Sequence, residues 1–170
     1  MKYIMTKKKD TSLNDMNGFF EYLQGESPRA AVVIAGAFLD EQLRQLILAS
    51  FSKNRSVALD LVGSENNFDR PLSSFGSRIN LAFCLGIINK IIYEDLHTIR
   101  KIRNKYAHQL HNYSWDEPEI VNWCKILNHS KMIVNINPNI AKSHNELFIL
   151  AVVQISTWLG LELESKKNIK

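Results

Sequence analysis

The chain has 170 residues, 45% apolar and 22% charged, with only seven glycines and four prolines. That length suits one domain with a real core and is short for two, and the scarcity of turn residues favours helices over a turn-rich sandwich. The formal net charge of +4 and pI of about 9.1 invite a nucleic-acid reading, but residues 1–10 carry +3 and residues 161–170 carry +1, while residues 11–160 hold 14 cations and 14 acids. The global charge is therefore no argument for a basic binding face, and only a local cluster could be.

Residues 1–10 read as a mobile basic tail, 11–165 as a single domain and 166–170 as a basic C-terminal tail. A short helix fits residues 12–24. Ser27 as cap and Pro28 at the first helical position then open a long apolar helix to about Ser50, with Ala35, Leu39, Leu43 and Leu46 at helical spacing. Residues 53–70 are a connection with one short helix at most. "SSFGSRINLAFCLGIIN" reads as a second buried helix, with Phe75, Ile79, Ala82, Leu85 and Gly86 on one side. "YEDLHTIRKIRNKYAHQL" is the third long helix, with Glu94 and Asp95 in its first turn and cations later, as the helix dipole prefers. Pro118 opens a helix through about His129. In "MIVNINPN", Pro138 argues against a central strand, and residues 143–163 form the last long helix. The expectation is an all-α compact bundle of about five to seven helices.

The charged third helix carries the functional question. Its stretch "IRKIRNKYAHQL" places Arg100, Lys101, Arg103 and Lys105 within ten residues, with no acid among them. On a wheel of about 100° per residue, Ile92, Leu96, Ile99, Tyr106 and Leu110 share one stripe, and Arg103 falls at its centre. A cation there is costly unless paired, which predicts an ion pair between Arg103 and a carboxylate of the helix opened by Ser27, Asp40 or Glu41, with Asp40 preferred. Arg100, Asn104, His97 and His108 lie on the other side. His108 by itself reads as a histidine near a helix C-terminus, and Lys101 and Lys105 as a solvated face.

Cys84 and Cys124 stand forty residues apart with no Cys or His at metal-ligand spacing, and read as reduced, buried thiols. No metal site or cofactor is implied. The lysines at 7–9 precede no apolar run, so no signal peptide is read and a cytoplasmic protein is expected. The most apolar stretches, "AAVVIAGAFL" and "LFILAVVQISTWLGL", read as buried helices and not as membrane spans.

Two resemblances add to this. "SPRAAVVIAGAFLDEQLRQLIL" followed by "PLSSFGSRINLAFCLGIINKIIYEDLHTIRKIRNKYAH" resembles the bacterial mannitol operon repressor family, over about Ser27 to His108. That resemblance implies a transcriptional regulator. The chain shows no helix-turn-helix, zinc spacing or basic zipper, so contact with a protein partner is expected ahead of direct, sequence-specific DNA reading. "RNKYAH" resembles the Arg-x4-His motif of the HEPN superfamily, small all-α bundles that often dimerise. This implies the alternative of a metal-independent ribonuclease or RNA-binding protein. Arg103 would offset phosphate charge, His108 would move the 2′-hydroxyl proton, and Asn104 would orient His108. Arg100, Lys101 and Lys105 would then contact RNA phosphates. Arg103 and His108 point about 140° apart in an unbroken helix, so that chemistry requires a homodimer or a broken helix.

Overall fold

The computed structural model describes residues 13–51, 54–63, 70–108, 114–141 and 143–168. The N-terminal tail, Leu110 and most of the 109–117 loop lie outside these. The described residues form eight helices and no strand: α1 (Leu13–Gly25), α2 (Pro28–Ser50), α3 (Arg55–Val62), α4 (Phe75–Cys84), α5 (Lys90–His108), α6 (Pro118–Ile126), α7 (Asn128–Ile136) and α8 (His144–Asn168). The chain is all-α, as expected.

Two long helices make the centre. α2 starts where Ser27 Oγ accepts from the Ala30 amide at 3.3 Å, with Pro28 on the first turn. Its buried Val32, Ala35, Leu39, Leu43 and Leu46 pack against α8 and α5, and α1, α3 and α4 lie on its flanks. α8 is long and apolar enough by composition to cross a membrane. Here Phe148, Ile149, Val152, Ile155 and Leu159 are buried in the bundle core, against α1, α2, α6 and α7. The helix continues to Asn168, so Lys166 and Lys167 stand on its last turn instead of in a tail.

The fold departs from expectation at several termini. α4 opens at Phe75, where Ser74 Oγ accepts from the Ser77 amide at 3.1 Å, but it ends at Cys84, short of the expected Asn89. Gly86 takes φ +67° and the Ile87 amide reaches back to the Ala82 carbonyl, a left-handed stop that glycine adopts cheaply. Leu85 is consequently 48% exposed, and Cys84 is exposed as well, contrary to the buried positions expected for both. α5 begins earlier than expected, at Lys90, where Asn89 Oδ1 accepts from the Ile92 amide at 3.0 Å. Asp95 is thus beyond the first turn and fully enclosed. The expected helix from Pro118 to His129 breaks at extended Leu127 into α6 and α7, and "MIVNI" is helical.

Candidate functional site

α5 lies between α2 and α4 on one side and α6, α7 and α8 on the other. Its buried arc is therefore wide: Ile92, Asp95, Leu96, Thr98, Ile99, Ile102 and Tyr106. This shifts the centre of the apolar stripe away from Arg103, which sits half-buried at its edge. The simple stripe gave no weight to Ile102, and Leu110 lies outside the described residues.

The expected pairing of Arg103 with Asp40 is corrected. Asp40 Oδ1 instead accepts from Arg78 Nη1 of α4 at 2.7 Å, and Arg78 Nη2 also donates to the Val62 carbonyl at 2.9 Å. Arg78 is the buried cation among the described residues, at 5% exposure, and its fork ties α2, α3 and α4 together. Burial raises the Asp40 pKa from its ordinary value, outweighing the lowering by Arg78 and by the nearby Arg103. Arg103 itself donates from Nη1 to Asn104 Oδ1 at 2.9 Å, and its stem lies on Gly36 of α2. A Cβ at residue 36 would meet Arg103 Cγ at 3.0 Å.

Arg100 is seated the same way one turn earlier. Its guanidinium lies against Gly76 of α4, with Nη1 at 3.3 Å from where a Cβ would stand, and its Nε is buried without a hydrogen-bond partner. At the far end of α5, Arg29 of α2 donates to the Ala107 carbonyl at 3.2 Å. Lys105 pairs with Glu119 of α6, Lys101 is exposed, and so is His108. α5 runs unbroken through His108, so one chain keeps Arg103 and His108 on different faces. The motif residues Arg103 and Asn104 are joined, while His108 is not brought to them.

The opposite edge of α5 carries two arrangements that sequence reading passed over. Asp95, 1% exposed, accepts from the Asn128 amide at 2.8 Å, Asn128 Nδ2 at 3.0 Å, the His129 amide at 2.9 Å and His129 Nδ1 at 2.7 Å. It caps α7 from across the bundle, placing a carboxylate on the positive end of that helix. Beside it lies a cleft of about 550 Å³ lined by Tyr93, Glu94, His97, Thr98, Lys101 and Ile126, among others. Asn80 Oδ1 meets His97 Nε2 at 3.0 Å and accepts from the Tyr93 hydroxyl at 3.3 Å. Burial, then Arg100 and Lys101, lower the His97 pKa. The only sequence signal for Asp95 was its place one turn before Ile99 on the apolar side. Among the described residues no cluster of three or more His, Cys, Asp or Glu could hold a metal ion.

These features define an all-α helical bundle whose charged side chains are held at helix junctions. The family model described as "MtlR: Mannitol repressor" matches residues 17–158, and the chain belongs to that family. The mannitol operon repressors of Escherichia coli K12 and of Escherichia coli O6:H1 strain CFT073 are each 26% identical over 128 residues, covering 68% of this chain and 66% of the relative. The match thus spans just under two thirds of those relatives' length. A chain of the X-ray structure of the MtlR-HPr complex from Escherichia coli has the same fold, with a TM-score of 0.66 at 20% identity, covering 85% of this chain and 98% of that one.

Proposed function

We propose that this protein is a transcriptional repressor of the mannitol-operon type that acts through contact with another protein, in the cytoplasm, and not by reading DNA bases itself. The family match across residues 17–158 carries the reading. It is supported by the solved relative, whose structure is a complex with HPr, and by the use of every long helix as a core element, which leaves none of them free to enter a major groove. An HPr-type protein is the first partner to test, with a homodimer as the working assembly. In a mobility-shift assay on mannitol-operon promoter DNA, the chain alone is expected to give no sequence-specific complex. A specific complex without any partner, competed only by the promoter sequence, would overturn the reading.

A second reading is favoured by one observation, that Arg100, Lys101 and Arg103 of α5 have no carboxylate within 4.0 Å among the described residues. It has RNA contacting Arg100, Lys101 and Lys105, with Arg103, Asn104 and His108 cleaving it when two copies meet. Metal-independent cleavage in excess chelator, abolished by His108→Ala, would establish it.

A further inference from the structure

Asp40 feels the charge of both Arg78 and Arg103, and it is Arg78 that pairs with it. Arg29, Arg100, Lys101 and Arg103 have no carboxylate within 4.0 Å among the described residues. For an exposed lysine this is ordinary. Arg100 and Arg103 are different, because both are half-buried. Each has its approach made possible by a glycine on the neighbouring helix, Gly76 and Gly36. Arg100 further leaves a buried Nε unpartnered. A guanidinium taken partly out of water without a counter-charge costs free energy, which an anion arriving from outside would recover.

The surroundings say what kind of anion. α2 and α5 run antiparallel here, since Arg29 meets Ala107 and Gly36 meets Arg103. On the α2 wheel Val33 and Ala37 fall about 60° and 100° from Gly36, on the outer side of this junction, and both are exposed, Val33 by 38%. Arginines beside exposed apolar side chains are the composition of a protein interface, whereas a nucleic-acid track is a row of exposed cations following phosphates. Arg100 and Arg103 are three residues apart on α5, about one helical turn. A partner helix with two carboxylates one turn apart and an apolar residue beside them would match both forks and cover Val33.

We propose that the face where α5 meets α2 and α4, with Arg103 seated on Gly36 and Arg100 on Gly76, docks an acidic amphipathic helix of a partner protein. This deepens the protein-contact reading and rests on it only in having the anion carried by a protein.

The test is fluorescence anisotropy with a labelled helical peptide carrying glutamates one turn apart beside leucines, against a scrambled peptide of the same composition. The ordered peptide should bind the full chain better than the scrambled one. Affinity should fall by about tenfold or more in Arg100→Gln/Arg103→Gln, and by less than about threefold in Lys101→Gln/Lys105→Gln. Gly36→Ala is the decisive variant where the arginine pair compromises folding, since it displaces the Arg103 stem without changing any charge. It should weaken binding, whereas a diffuse field would not notice it. Equal binding of both peptides, equal loss in the arginine and lysine variants, or tighter binding of labelled single-stranded RNA to the same arginines would each overturn the proposal. Titration with HPr in parallel separates the two claims: peptide binding without any HPr contact supports the docking face and sinks only the choice of partner.

Discussion

Replacing Asp95 tests the packing account most severely, because four donors converge on one enclosed carboxylate. Asp95→Ala removes the acceptor for the Asn128 and His129 amides and for both of those side chains. A hydrogen bond to a charged group contributes about 1.5–3 kcal/mol, and a lost helix cap alone costs about 1 kcal/mol. The four are not additive, since His129 is 15% exposed and can recover some hydration. The expected loss is about 3–5 kcal/mol, or about 10 °C in Tm for a domain of this size. Asp95→Asn keeps one carbonyl oxygen but turns an NH2 toward donors, and should cost about 2 kcal/mol. Urea unfolding gives the totals, and hydrogen exchange at the Asn128 and His129 amides should show α7 opening first. A loss below about 1 kcal/mol, or unchanged protection at those amides, would refute the idea that Asp95 holds α7 in place.

Other outcomes follow from the same geometry. Arg103→Ala removes the packing on Gly36 and the bond to Asn104, and should cost about 1–2 kcal/mol, against less than about 0.5 for exposed His108→Ala; equal melting temperatures would contradict the placement of Arg103. Arg78→Ala strands the half-enclosed Asp40 and should cost about 3–5 kcal/mol in denaturant unfolding. In the native protein a thiol reagent should label Cys84 quickly and Cys124 only on unfolding, as mass spectrometry of the labelled peptides would show. Burial pushes the Cys124 thiol up to about 12 from 9.0, and raises Tyr106 in the same direction. The folded thiol therefore stays protonated where the unfolded one ionises. Its stabilisation is intact below pH 9, declines by about 1.4 kcal/mol per pH unit above that, and is gone past about 12. Cys124→Ala should show a shallower alkaline decline in Tm than the wild type.

The helices that bury a broad face were legible, because apolar spacing in α2 and α8 survives whatever packs on them. The N-cap Ser27 was legible too, since its chemistry is local. Termini set by backbone geometry or by distant residues were not. Gly86 stops α4 through its positive φ, and α7 exists as a separate helix because Asp95, more than thirty residues upstream, meets its first amides. The partner of Asp40 was misassigned for a similar reason: a wheel ranks residues on one helix, but it cannot say which arginine of two neighbouring helices arrives first. Arg78 lay within the second apolar helix and drew no attention, although a cation beside Ile79 carries the same signal that singled out Arg103. Nothing local to Gly36 or Gly76 says that an arginine of a neighbouring helix lies on it.

The claim that this repressor-family protein works by binding another protein is tested most directly by isothermal titration of the purified full chain with HPr. Saturable binding, together with no sequence-specific complex on promoter DNA alone, is the predicted result. No heat of association at high concentration, with tight specific binding to the promoter by the chain alone, would contradict it.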